Sequence, residues 1–191
     1  MSFEDVVRHS KFILAEASVV ECLRRSNRVE LHPRLIHSPL IYDQKGREEL
    51  SNLYNDYISV ARKAGYPMVT LTPTWRANKE RLSEAGIKCD VNKAAVDFMK
   101  QIRARWGEWK DSIYIGGLIG CRNDCYKPAE AIDMEEAYDF HAWQVQMLAQ
   151  AEVDFMIAET LPAICEAIGI AQAMAATKYP YIISFVINRK S

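Results

Sequence analysis

The stretch that decides the fold is Val153-Asp-Phe-Met-Ile-Ala158, which continues into Glu159-Thr-Leu-Pro162. The apolar residues of its first half run on without regular alternation, which is typical of a strand that is covered on both faces. The next stretch has helical spacing, with apolar residues three or four positions apart at Ile164, Ala167, Ala171 and Met174. This segment therefore predicts one strand and one helix of an α/β protein.

The same alternation extends through the rest of the chain. Four further apolar runs predict strands, at Lys11–Glu16, Pro67–Thr72, Ser112–Gly117 and Tyr181–Ile187. Helical spacing recurs between them, at Leu50, Leu53, Tyr57, Ala61 and Ala64 and at Ala95, Phe98, Ile102 and Trp106. Strands that alternate with helices predict parallel pairing with right-handed crossovers.

Two α/β architectures fit this pattern: an open doubly wound sheet and part of a (β/α)8 TIM-type barrel. Five predicted strands in 191 residues are about five-eighths of a barrel that typically takes ~250 residues. Residues 188–191 directly follow a predicted strand, and we interpret this ending as a C-terminal interruption of the barrel. Residues 26–48 show no clear period and predict a long loop or insertion.

Local signals refine the element boundaries. Asp133-Met-Glu-Glu136 has the spacing of a capping box, and Pro162 stands where a first-turn proline would open the helix after Thr160. We expect Gly116, Gly117 and Gly120 to form a tight turn after the third strand, although they would also allow a ligand to approach the backbone.

Composition excludes several function classes. The chain carries 24 Lys and Arg against 25 Asp and Glu, a formal charge of −1 that argues against nucleic acid as the main partner. No apolar run reaches the roughly 18 residues that a bilayer span needs, and the N-terminus lacks a signal-peptide pattern. We therefore expect one cytoplasmic domain over residues 1–191 that has no membrane partner, with its five cysteines as free thiols.

Polar side chains follow the predicted strands, where parallel α/β sheets bind their ligands. Glu16 and Glu159 follow the first and fourth strands. Glu159 can bind the ammonium group of an amino acid or cap the next helix, and Glu16 can contact a ligand or form a rim salt bridge. After the second strand, a turn satisfied by its own side chains is at least as good an interpretation as substrate contact. The three polar residues there are Thr72, Thr74 and Asn78.

Other reactive side chains have simpler explanations. Cys121 and Cys125 lack the third and fourth ligands that zinc needs, so we expect no metal there. His141 and Gln144 lie three positions apart on one helical face, which favours packing or hydrogen bonding over catalysis. Trp75 is the tryptophan that we expect at the mouth of a ligand site.

Four collinear motifs resemble the homocysteine S-methyltransferase family. Val153–Ala167 is similar to the family segment that contains Glu-Thr and a proline, and His141-Ala-Trp-Gln144 resembles its His-x-x-Gln helix. Thr72–Asn78 with Arg81-Leu82 is similar to the T-x-T-[YW]-x-A-N element, and Ile115–Gly120 resembles a glycine-rich strand. The resemblance extends from about residue 12 to residue 187.

The resemblance implies a (β/α)8 barrel that transfers a methyl group from a small donor to the thiol of homocysteine. The implied substrate-binding residues are Glu16, Thr72, Thr74, Asn78 and Glu159. Family members hold a zinc ion with three cysteines, and this ion lowers the pKa of the substrate thiol; no residue of this chain matches those ligands. The family's Asp-Gly at the first strand is replaced here by Ala15-Glu16, or is shifted so that Glu16 stands in for the acid.

We therefore interpret the chain as the first five βα units of such a barrel, carrying the amino-acid half of the site. An unfinished barrel leaves strand edges unpaired, which predicts association of copies through them. The alternative is a non-catalytic, doubly wound module of five strands that binds a small ligand or a partner. A barrel enzyme with a carboxylate-based lyase or hydrolase mechanism is a third interpretation.

Overall fold

The five predicted strands form one parallel sheet. A computed structural model describes residues 1–187, and within them the strands are ordered along the sheet as they are along the chain. Their bounds are β1 Leu14–Ala15, β2 Met68–Leu71, β3 Ile113–Gly120, β4 Phe155–Leu161 and β5 Tyr181–Phe185. A doubly wound sheet reverses its strand order, so that alternative is wrong, and the sheet is instead a curled part of a (β/α)8 barrel.

Helices connect the strands. Among residues 1–187 their bounds are α1 Phe3–His9, α2 Val19–Ser26, α3 Gln44–Ala64, α4 Lys79–Glu84, α5 Val91–Ala104, α6 Met134–Gln150 and α7 Ile164–Ala175. The loop predicted over residues 26–48 is wrong for its last part, because α3 begins at Gln44. Asp43 starts that helix by accepting a hydrogen bond from the Gly46 N–H at 3.2 Å.

The tight turn predicted for the three glycines of the β3 segment is wrong. Gly116, Gly117 and Gly120 lie inside the strand rather than in a turn, and none of them has a positive φ. Close packing explains them, because a Cβ atom on Gly116 would lie 2.4 Å from the ring of Phe155. The strand therefore runs three residues beyond the predicted Gly117.

The end of β4 also differs from the prediction. Glu159 lies within the strand rather than after it, and Pro162 precedes α7 rather than opening its first turn. The N-cap at Asp133 is confirmed, since its carboxylate accepts from the Glu136 N–H at 2.9 Å. The carboxylate of Glu136 pairs with Arg122 and does not complete a capping box.

Apolar side chains fill both sides of the sheet. On the inner side, Phe3 of α1 stacks on Phe155 with 4.0 Å between ring centroids, and both pack with Val69 and Tyr114. These partners lie near the amino ends of β2, β3 and β4, so α1 closes that end of the half-barrel. The carboxyl ends of the strands are left for a site.

The two outer strands each have one partner within residues 1–187. β1 pairs with β2 and β5 pairs with β4, and Tyr181 and Phe185 of β5 are 42% and 45% exposed. Association of copies through these edges stays a prediction. Residues 188–191, on which the predicted interruption rests, lie outside the described residues. None of the described helices combines the length and apolar character that crossing a membrane requires.

Candidate functional site

A cavity of about 540 Å³ lies at the carboxyl ends of the strands. Its walls come from the end of β1, the first turn of α2, the loop before α3, and the ends of β2, β3 and β4. Leu71 and Leu118 give it an apolar floor, and Tyr126 lines it from the loop after β3. This is the end of a barrel sheet at which ligands bind.

Two carboxylates line the cavity. Glu16 follows β1, and its Oε2 accepts a hydrogen bond from the Leu71 N–H at 3.0 Å. Burial raises the pKa of Glu16 well above its ordinary value, the Leu71 N–H partly offsets this, and the charge of Glu159 raises it further. Burial likewise raises the pKa of Glu159. An ammonium group between two such carboxylates would stabilise their charged forms.

A distortion in β4 sets the position of Glu159. The β4–β5 register shifts between Ala158 and Leu161, and Thr160 has a φ of 59°. A bulge of this kind turns a side chain away from its regular alternation. The Thr160 hydroxyl accepts a hydrogen bond from the Trp75 indole at 3.0 Å, which ties the bulge to the cavity wall.

The start of α2 forms another part of the wall. Ser18 precedes the helix with a φ of 51°, and its side chain makes no capping hydrogen bond. The cavity is lined by Ser18 and the first helical residues, Val19 to Glu21. Uncapped N–H groups and the helix dipole favour a negative group at this place.

Comparison with known proteins decides the family. A family profile described as homocysteine S-methyltransferase matches residues 9–191. This chain belongs to that family. None of the curated proteins matches the chain.

Solved structures confirm the fold. The metallated form of the homocysteine methyltransferase MmuM from Escherichia coli superposes with a TM-score of 0.77 at 16% identity. The match covers 97% of this chain and 66% of that one. The apo form of the same enzyme gives a TM-score of 0.64 at 16% identity, with 98% and 63% covered. This methyltransferase-family chain thus spans about two-thirds of the length of those structures.

The structure brings together two of the five predicted site residues. Glu16 and Glu159 line the cavity, whereas Thr72, Thr74 and Asn78 do not. The Asn78 side chain is buried and caps α4 by accepting from the Arg81 N–H at 3.0 Å. Substrate contact by Glu16 and Glu159 stays a proposal, and the other three residues have structural partners.

Thr72 and Thr74 close a ring of hydrogen bonds on β3. The Leu118 N–H donates to the Thr72 hydroxyl at 3.0 Å, and the Thr74 hydroxyl donates to the Leu118 carbonyl at 2.6 Å. The two hydroxyls lie 2.7 Å apart, so Thr72 donates to Thr74. Since β2 ends at Leu71, these side chains continue its pairing with β3 and hold Leu118 in the cavity floor.

The family's His-x-x-Gln helix has the packing role that its spacing predicts. His141 is fully buried, and its Nε2 lies 3.1 Å from a carboxylate oxygen of Glu166, which also accepts from the Arg122 N–H. The Gln144 amide donates to the Thr74 carbonyl at 2.8 Å and to Asn92 at 3.1 Å. Both side chains join α6 to its neighbours and neither lines the cavity.

The cysteines do not assemble a metal centre in the described part of the chain. Over residues 1–187, no group of three or more His, Cys, Asp or Glu side chains has the arrangement of a metal site. All five cysteines are free thiols, and Cys121 and Cys125 are buried. Burial raises the pKa of Cys121 to about 11, which disfavours the thiolate that a metal binds.

Sequence reasoning missed several polar residues of the cavity, among them Arg24, Tyr126 and His37. His37 lines the wall from the loop before α3 and is 2% exposed. It lies in the part of the sequence that lacks periodicity, and no motif points to it. The lining by Trp75 was expected, and the structure confirms it.

Proposed function

We propose that this chain binds homocysteine, or a closely related thiol amino acid, as the acceptor of a methyl group. The observation that carries the proposal is the pair of carboxylates, Glu16 and Glu159, at one cavity in a chain of the homocysteine S-methyltransferase family. The cavity of about 540 Å³ has room for an amino acid of this size beside a small methyl donor. The half-barrel carries the amino-acid part of the site.

The charges of the cavity suit a zwitterion. Glu16 and Glu159 would hold the ammonium group, and a charge-assisted contact of this type is about twice as strong as a neutral one. The start of α2 would face the carboxylate, because a helix N-terminus favours a negative group. Leu71 and Leu118 would contact the methylene groups of the side chain.

Zinc is the metal that the family resemblance implies for activating the thiol. Residues 1–187 provide no cluster of side chains that fits it, and Cys125, the cysteine at the cavity, has a pKa raised by burial. We therefore assign no zinc ligand in this part of the chain and derive no step through the metal. The proposal for these residues is confined to binding and orienting the amino acid.

The test is homocysteine binding by the Glu159→Gln variant. The substitution keeps the shape of the side chain and removes its charge, so we expect affinity to fall about ten- to a hundredfold. Isothermal titration calorimetry measures the change. Glu152→Gln is the matched control, because Glu152 is an exposed glutamate outside the cavity.

Two results would contradict the proposal. The first is an absence of homocysteine binding by the unsubstituted chain. The second is a Glu159→Gln variant that binds homocysteine as tightly as the Glu152→Gln control does. Either result would leave the carboxylate pair without a role in recognition.

A further inference from the structure

His37 is a buried polar side chain whose hydrogen bonding is incomplete. It is 2% exposed and lines the same cavity as Glu16 and Glu159. Its Nδ1 atom is buried and has no hydrogen-bond partner among residues 1–187. The Nε2 atom also has no hydrogen-bond partner there, and it is the ring nitrogen that protein atoms do not enclose, so it is the one that a ligand in the cavity can reach.

The protonation state of the His37 ring determines which ligand groups can form a hydrogen bond with it. Burial lowers the pKa of His37 to about 4, so the imidazole is neutral at physiological pH. A neutral imidazole donates one hydrogen bond and accepts one. A carboxylate is the better partner for the donor, since it accepts hydrogen bonds and cannot donate them.

The residues around His37 favour binding of the carboxylate group of an amino-acid ligand. Val19 in the first turn of α2 packs in the same core cluster as Leu35 and Leu40, which flank His37 in sequence. The uncapped start of α2 and the His37 ring therefore belong to one wall of the cavity. This wall also carries Arg24, whose guanidinium pairs with the Glu21 carboxylate at 2.7 Å. The donors on it that remain for a ligand therefore include the His37 ring and the start of α2, whereas Glu16 and Glu159 supply acceptors.

We propose that His37 is a specificity-determining residue that donates a hydrogen bond to the carboxylate of the bound amino acid. This inference rests on the proposed function, in which Glu16 and Glu159 bind the ammonium group, and it adds a contact to the carboxylate group. His37 would select ligands with a carboxylate, while Glu159 would select those with an ammonium group.

Three ligands and one substitution test the inference. The ligands are homocysteine, 3-aminopropane-1-thiol, which lacks the carboxylate, and 4-mercaptobutanoate, which lacks the ammonium group. We expect His37→Phe to weaken binding of the two carboxylates about ten- to a hundredfold and to leave the aminothiol unchanged. Glu159→Gln should show the opposite selectivity, and calorimetry measures all the affinities.

Stability separates a ligand contact from a structural role. An unpaired buried polar group lowers the stability of the fold, so replacing it by an apolar group of similar shape does not destabilise the protein. We therefore expect His37→Phe to unfold at a urea concentration no lower than that of the unsubstituted chain. His37→Asn keeps a donor and should retain part of the affinity for carboxylates. His9→Phe, at an exposed histidine of α1, is the control for exchanging an imidazole for a phenyl ring.

The possible failures are distinguishable. A His37→Phe variant that loses affinity equally for all three ligands would overturn the inference, because the ring would then only shape the cavity. Unchanged binding of all three would also overturn it, because the ring would then make no contact that the ligands need. In both cases the proposed function would stand, whereas an unsubstituted chain that does not bind homocysteine would overturn the proposed function and the inference together.

Discussion

Replacing Thr72 by valine tests whether this residue serves the fold or the ligand. The hydroxyl of Thr72 accepts from the Leu118 N–H at 3.0 Å and donates to Thr74. Valine has the same shape but leaves the Leu118 N–H buried without an acceptor. Such a loss costs about 1–3 kcal/mol of the free energy of unfolding.

The measurement is urea unfolding followed by tryptophan fluorescence, together with homocysteine titration of the folded protein. We expect Thr72→Val to lower the unfolding free energy by the amount above while homocysteine affinity changes less than about twofold. Thr72→Ser is the matched control, since it keeps the hydroxyl and removes one methyl group, at a cost of ~1 kcal/mol or less.

Two outcomes would refute this reasoning. If Thr72→Val is as stable as Thr72→Ser, the ring of hydrogen bonds on Leu118 contributes nothing to the fold. If Thr72→Val unfolds as expected but also loses homocysteine affinity more than tenfold, while Thr72→Ser binds normally, the hydroxyl contacts the ligand directly. The sequence-based prediction of substrate contact would then be the correct one.

Two further substitutions test the packing and the electrostatics of the half-barrel. Gly116→Ala should cost about 1–3 kcal/mol in urea unfolding, because its Cβ would overlap Phe155 at 2.4 Å; Gly117→Ala, with Leu148 at 3.1 Å, should cost less. Glu16→Gln should be more stable than the unsubstituted chain by an amount that grows as pH rises from 4.5 to about 8, because glutamine does not ionise. The pKa of Glu16 in the folded protein is raised above its ordinary value of 4.5. The protonated side chain therefore contributes its full share of the unfolding free energy below pH 4.5, and this share is lost as pH rises through the folded-state pKa.

A different result would contradict each of the predictions for Gly116 and Glu16. A second substitution, Phe155→Leu, should restore part of the stability that Gly116→Ala removes. If the double variant instead loses the sum of the two single losses in unfolding free energy, the methyl group that Gly116→Ala adds does not clash with the Phe155 ring. For Glu16, a stability difference that stays constant between the two pH values would mean that its carboxylate is hydrated in the folded protein.

The α/β class and the five strands were predictable because they depend on local patterns. A covered parallel strand needs a continuous apolar run, and a helix needs apolar residues every three or four positions, so both signals lie in adjacent residues. Glu16 and Glu159 were predictable for a related reason. Each lies at the carboxyl end of its strand, and parallel pairing brings those ends together whatever the rest of the chain does.

The boundaries of the site depended on contacts between distant residues. Gly116 is a strand residue because Phe155 occupies the space of its missing side chain, and no local pattern carries that information. Thr72 turns to Leu118, 46 positions away, because β3 continues where β2 has ended. The choice between barrel and doubly wound sheet likewise required the strand order.

The sequence by itself thus determined the five strands, the helices with a clear apolar period, the parallel direction of the strands and the family, since these follow from periodicity and from motifs of neighbouring residues. Only the tertiary structure decided which polar groups are used up within the fold and which remain free for a ligand. His37 illustrates the difference, because an unpaired Nδ1 is defined by everything that surrounds it. Burial and hydrogen-bond completion are properties of the packed chain, and no segment of sequence contains them.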